Sequence, residues 1–362
     1  MGRRNSVNKK QKKWLLPIIS SLIPVMLAFI VGSFLIMLSG YKPLEAYSAL
    51  FSGALSGKIA IMNTLFATTP LILTGLATAI AFKANIYNMG VEGQLYLGAF
   101  TAAFLGFTLQ GTPPVIHVFI CLIGGALSGM LFALIPAILK AFFNVNEMVV
   151  TLMLNYAAIL FTTYLASFPF KAPGASNATT IDILPSAELP RFFQGSQLNG
   201  GFIVAIGVFI MVWFLINKMK LGYEMNSIGR NIEFSEYVGM NIAKKIIVIM
   251  SISGIVAGLA GAGEILGTHR RFVSEFSPDY GWTGLTIALL GKHNPVGVLA
   301  GALLFGILKN GGSSMELMVG VPRSLIDVIQ GLIILFLAVD FLIHHFSLVT
   351  KLKERFNRKK VA

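Results

Sequence analysis

The stretch Asn85-Ile86-Tyr87-Asn88-Met89-Gly90-Val91-Glu92-Gly93-Gln94 sets one carboxylate and three carboxamides among apolar neighbours. A carboxylate in an apolar segment is expensive and marks a functional site by default. Glu92 also falls in the first turn of the helix expected to follow, where a positive dipole end favours an acid. A structural or gating role and direct contact with a transported molecule both stay open. A second interruption, Gly291-Lys292-His293-Asn294-Pro295, repeats the Lys-x-Asn of Lys83-Ala84-Asn85. Asn294 before Pro295 is a helix-start signal. Paired short segments broken by Gly or Pro point to a transport pathway, and the alternative is two plain turns. Asn85, Asn88, Glu92, Gln94 and Asn294 are therefore the pathway or gating candidates. Glu147, Glu264, Asp327 and Asp340 lie nearer the ends of apolar runs and rank below them.

Other chemistry is missing. Gly57-Lys58 is followed by Ile59 and lacks the earlier glycine of a phosphate loop, and no H-E-x-x-H, C-x-x-C or G-x-S-x-G occurs. His344 and His345 are adjacent and point to different helix faces. Cys121 is the lone cysteine, so an internal disulfide is excluded. The expectation is a chain with no catalytic residues, no metal site and no cofactor of its own.

The elements that position these residues follow from composition. Of 362 residues, 55% are hydrophobic and 12% charged, against about 25% charged in a soluble domain. That excludes a soluble enzyme. Apolar runs near 14–38, 61–82, 90–110, 115–139, 148–168, 201–217, 246–266, 281–290, 295–310 and 322–343 predict an all-α, polytopic integral membrane bundle. It would have about ten transmembrane segments, some short or interrupted. The first run is too long for a cleaved signal peptide.

Charge sets the orientation. The net charge is +13, and residues 1–13 carry six basic residues and no acid. Residues 351–360 carry six more with only Glu354. Basic flanks hold the cytoplasmic side, so both termini are expected there. No basic patch on a folded domain suggests nucleic acid. The layout is a basic N-tail (1–13), a permeation domain (14–343) and a basic C-tail (344–362). On this layout 169–200 is an outer loop, rich in Pro, Ser, Asn and Thr, that could receive a partner.

The inner loop, 218–245, reads as organised. Asn231 can cap a helix, Glu233 falls in its first turn and Gly239 can end it. Phe234, Tyr237 and Val238 then share one apolar face, suited to a partner's groove or to the bilayer surface. Gly125 with Gly129, Gly254 with Gly258, and Gly297 with Gly301 have the spacing that lets helices approach closely in lipid.

At these same residues the chain resembles the permease subunits of bacterial ABC importers for branched-chain amino acids, ribose and simple sugars. Within that group the nucleoside importers, purine nucleoside and guanosine types, look most similar. Asn85 to Gln94 is similar to the family's F-N-I-G-x-E-G-Q signature. Gly229-Arg230-Asn231 with Gly239, and Leu290-Gly291-Lys292 through Asn294-Pro295-Val296-Gly297, are similar too. The resemblance spans residues 14–343. It implies two permease subunits working with two ATPase subunits that bind the ATP, and an extracytoplasmic substrate-binding lipoprotein. It implies a bacterial cell membrane, and a coupling helix formed by Gly229, Arg230, Asn231, Glu233, Phe234, Tyr237 and Gly239. Two departures stand in that helix region: Asn226-Ser227 where the family usually has Arg-Ala, and Phe234-Ser235 where it has paired alanines. A second, non-identical permease that shares the coupling would explain them. The alternatives are a ribose- or galactose-type sugar importer and an autonomous secondary transporter.

Overall fold

The computed structural model describes residues 23–345, with side chains up to residue 337. The N-tail, most of the C-tail and the start of the first apolar run lie outside the described residues. Thirteen α-helices are present among those described: α1 (Ile23–Leu38), α2 (Pro43–Leu55), α3 (Lys58–Lys83), α4 (Val91–Thr108), α5 (Pro114–Phe143), α6 (Glu147–Ser167), α7 (Gly201–Lys218), α8 (Lys220–Arg230), α9 (Ile232–Tyr237), α10 (Ile242–Glu264), α11 (Tyr280–Leu290), α12 (Pro295–Val319) and α13 (Ser324–His345). Between 169 and 273 a few isolated β-bridges occur, but no strand is formed among the described residues.

Six helices are long and apolar enough to cross a membrane, or seven if α1 and α2, bent by 119°, count as one span. About ten were expected from the apolar runs. Glu92 and Gln94 make the first turn of α4 polar, and α11 has only 11 residues. Eleven residues rise about 16 Å, half of a roughly 30 Å hydrocarbon core.

Residues Ala54–Asn310 form one compact unit, and the flanking segments up to Gly53 and from Gly311 form another. In the flanking unit, the Tyr47 hydroxyl donates to the Phe29 carbonyl at 2.8 Å. A β-carbon on Gly312 would meet Ile326 at 3.0 Å.

In the larger unit α3 and α10 are central and mostly buried, whereas α5 and α6 leave most of their apolar surface uncovered. The outer helices expose Ile, Leu and Phe (Leu131, Leu160, Ile210) as a lipid-facing surface requires. Helices α4, α5 and α10 meet through glycine. A β-carbon on Gly129 would lie 2.4 Å from the Gly254 carbonyl oxygen, and one on Gly258 2.2 Å from that of Gly125. The glycine pairs of α5 and α10 do the packing work their spacing foretold.

Two elements differ from expectation. Helix α12 was expected to stop near 310; it runs on to Val319, 25 residues in all. Asn310-Gly311-Gly312-Ser313-Ser314 looks like a loop, yet Asn310, Gly311 and Gly312 each have a helical reason to be small or polar. Asn310 Nδ2 donates to the Ala60 carbonyl (3.1 Å) and to Thr64 Oγ1 (2.9 Å), and a β-carbon on Gly311 would lie 2.4 Å from the Leu50 carbonyl oxygen. Helix α8 was read as loop. Its buried Gly222, Met225 and Ile228 recur every three residues, but its charged face masks them in a hydropathy scan.

The segment 169–200 is folded rather than open. It closes on residues 265–274 through Thr180 N to Phe272 O (3.0 Å), Ile183 N to Arg270 O (2.7 Å) and Leu189 N to Leu266 O (2.8 Å). Ion pairs Arg270–Glu188 (2.9 Å) and Arg271–Asp182 (3.2 Å) reinforce it.

Candidate functional site

After α3 ends at Lys83, residues 84–90 run back into the bundle before α4 begins. Asn88 fixes that return. Its Nδ2 donates to Gln94 Oε1 (3.1 Å) and Ser253 Oγ (2.8 Å), while its Oδ1 accepts from Gly90 N (3.0 Å) and Gln94 Nε2 (3.1 Å). Ser253 Oγ in turn donates to the Ala77 carbonyl at 2.7 Å. On the other side Asn155 accepts from Gly93 N (2.8 Å) and donates to the Met89 carbonyl (2.6 Å), and Met89 N donates to Thr151 Oγ1 (3.1 Å). Asn88 and Gln94 thus bond each other and the surrounding backbone and form a lock. We expect Asn88→Ala to lower stability by about 1–3 kcal/mol, because Gly90 N and Gln94 lose a buried partner. A downward shift of the melting temperature in detergent would show it, and an unchanged melt would remove the lock.

The lock holds Glu92 against a second helix start. Glu92 is buried, and its Oε2 accepts from the Gly281 N–H in the first turn of α11. Helix starts of α4 and α11 therefore converge on one carboxylate, where both dipoles favour negative charge. Glycine at 281 is required: a β-carbon there would lie 2.6 Å from Glu92 N. From Leu290 at its other end, α11 raises this point by about 15 Å.

A second carboxylate and a cation complete the cluster. Glu264, at the end of α10, is buried, with His269 Nε2 at 3.9 Å. Lys309 of α12 is near enough for its charge to be felt at Glu92 and Glu264, and its ammonium stands 4.2 Å from the Tyr280 ring centre. Aromatic rings wall the same place. Tyr96 meets Phe276 at 4.9 Å, Phe272 meets Phe276 at 5.7 Å and Phe100 meets Phe272 at 5.4 Å, between ring centres.

The sequence pointed at Glu92 and ranked Glu264 low. It missed Lys309, Tyr280 and Tyr96. Lys309 was lost by ending α12 at the glycine pair. A helix carried through to Val319 would have placed a lysine inside an apolar span, which is itself a functional signal.

The other candidates lie elsewhere. Asn85 is exposed, has a left-handed φ of 57° and accepts from the Tyr87 hydroxyl at 2.9 Å. Asn294 caps α12, accepting from Val296 N at 3.0 Å. The two interruptions do come together: the His293 ring packs edge-on against Phe82 at 5.5 Å.

Residues 218–245 run from the end of α7 through α8 and α9 into the start of α10. Asn231 Oδ1 accepts from Phe234 N at 2.8 Å, and Gly239 leaves the helix with a φ of +85°. Phe234 and Tyr237 are 60% and 91% exposed, so the apolar face is uncovered. Ser235 turns inward, its hydroxyl donating to the Asn231 carbonyl at 2.8 Å. Gly229 seats α8 on the end of α3, since a β-carbon there would lie 2.4 Å from the Lys83 carbonyl oxygen. Arg230 closes α8 and Glu233 opens α9.

Among the described residues no group of His, Cys, Asp and Glu could hold a metal ion. Known proteins share this arrangement of sequence. The chain is 38% identical to the guanosine ABC transporter permease protein NupP of Bacillus subtilis, over 92% of this chain and 96% of that one. It is 33% identical to the nucleoside ABC transporter permease protein NupB of Lactococcus lactis (93% and 94%). It is 32% identical to the glucose ABC transporter permease protein TsgB13 of Haloferax volcanii (87% and 85%). The family model for the branched-chain amino acid transport system / permease component matches residues 60–338, from α3 into α13 and through every residue of the buried cluster. A membrane protein with this match over most of its length belongs to that permease family.

Proposed function

We propose that this chain forms the translocation pathway for nucleosides, purine nucleosides in particular, in an ATP-driven importer of a bacterial cytoplasmic membrane. The observation that carries the reading is the pair of buried carboxylates Glu92 and Glu264, with Lys309 nearby, beside tilted and edge-on aromatic rings. A nucleobase stacks on aromatic rings for about 1–3 kcal/mol. Ribose hydroxyls can exchange with the hydrogen bonds that the carboxylates make. The names of NupP and NupB support nucleosides. The name of TsgB13 favours a sugar as the second reading. Uptake of labelled guanosine by cells carrying the transporter separates the two: unlabelled nucleosides should compete and free glucose or ribose should not. Competition by the sugars alone would overturn the nucleoside assignment.

In this reading ten segments cross or enter the bilayer and both tails are cytoplasmic. Residues 169–200 face the binding lipoprotein, and 218–245 face the ATPase. ATP is bound by the ATPase subunits and not by this chain. A second, non-identical permease completes the pathway, in keeping with Asn226-Ser227 and Phe234-Ser235 in the coupling region. The exposed face of Phe234 and Tyr237 is the docking surface. Tyr237→Ser should reduce the ATPase recovered with the tagged chain about tenfold, the loss of one aromatic anchor, with the amount of chain in the membrane unchanged. Equal recovery would remove Tyr237 from the interface.

A further inference from the structure

Where α3 and α7 end and α8 begins, an open pocket of about 510 Å³ is lined by Lys83, Lys218, Lys220, Asn217, Tyr223 and Asn226 among others. Its charges are one-sided. Lys83 is half-buried, forms no ion pair among the described residues, and faces repulsion from Arg230. It repels His293 in turn, and burial together with this repulsion pushes the imidazole down to about 4. The nearest acid on α8, Glu224, is held by Lys245 and stands 3.9 Å from Lys220. No side chain caps the start of α8, so its free N–H groups and positive dipole end add to the field. Tyr223, Asn217 and Asn226 supply neutral hydrogen-bonding groups at the same mouth. A half-buried lysine kept among cations is costly unless an anion shares the site.

We propose that this pocket binds the phosphate oxyanion of an anionic phospholipid headgroup. Lys218 and Lys83 close two apolar helices long enough to cross a membrane, so the pocket opens where acyl chains meet water. Basic pockets between transmembrane helices hold anionic headgroups in this way. The occupied pocket ties the ends of α3 and α7 to the α8–α9 segment, so headgroup charge steadies the region that faces the ATPase. Assignment to the cytoplasmic leaflet rests on the orientation proposed above; binding itself does not.

The test uses the purified full chain in nanodiscs and detergent, with lipid retention read by native mass spectrometry. Wild type should retain phosphatidylglycerol, should not retain phosphatidylcholine, and should keep the lipid in excess inorganic phosphate. The exposed pair K218Q/K220Q should weaken retention about tenfold or more, from two charges near the surface. K83Q should weaken it as well, and K244Q, on the same side but outside the pocket lining, should not. Equal retention by wild type and K218Q/K220Q would overturn the proposal. So would an equal loss in K244Q, which would mean diffuse attraction. Displacement by inorganic phosphate would overturn the lipid source in favour of a soluble anion. If K218Q/K220Q loses ATPase recovery but no lipid, the pocket takes an acidic group of a protein partner and the lipid assignment falls. Because retention is measured on the chain alone, it stands or falls separately from nucleoside transport.

Discussion

Replacing Lys309 by Met should abolish uptake and destabilise the protein by about 1–3 kcal/mol, the loss of a cation near two buried carboxylates. Lys309 is the cation whose charge is felt at both Glu92 and Glu264. Among the described residues Glu264 then keeps His269 at 3.9 Å, while Glu92 still has the Gly281 N–H. The double variant Glu264→Gln/Lys309→Met should therefore recover most of the stability, since the unmatched charge is gone, but not the uptake. A double-mutant cycle on detergent melts, beside whole-cell uptake, separates the two roles. Additive losses of stability would mean that Lys309 and Glu264 do not act on each other.

Gly261→Leu should be worse for the fold than any change in the charge cluster. A β-carbon at Gly261 would lie 1.9 Å from the Leu95 carbonyl oxygen and 2.8 Å from Ala99 N. Both are backbone atoms of α4, so no side chain can turn aside. Helices α4 and α10 would have to part, and α4 carries Glu92. The expected cost exceeds about 3 kcal/mol, seen as loss of folded protein from the membrane. Gly263→Ala on the same helix is the control, since a β-carbon there meets nothing within 4 Å. Comparable losses in both would point to helix propensity or lipid contact and away from packing.

The contrast between these sites explains what could be read in the sequence. Asn231, Glu233 and Gly239 form a short-range code, and α9 has those ends because capping needs only neighbours. Glu92 was visible because a carboxylate in an apolar run is rare on any reading. Lys309 was not, because Gly311 and Gly312 carry the signature of a loop and their actual partners, Leu50 and Ile326, are remote in sequence. Helix α11 was legible as a short apolar segment, but not the position at which it begins. Its start is fixed by Glu92, which lies 189 positions away. Asn88 stood out as a pathway residue by type, yet its bonds to Gln94 and Ser253 give it a structural partner set that spacing alone cannot reveal.

The central claim is that the Glu92 cluster lies on the path of an ATP-driven nucleoside importer. Reconstitution of the chain with its ATPase, second permease and binding protein, followed by labelled guanosine uptake in wild type and Glu92→Gln, tests it most directly. Glutamine keeps an acceptor for Gly281 N–H and removes the charge. Uptake should require ATP and fall at least about tenfold in the variant, with assembly of the complex unchanged. Equal uptake by Glu92→Gln, or ion-driven uptake by the chain alone, would contradict it.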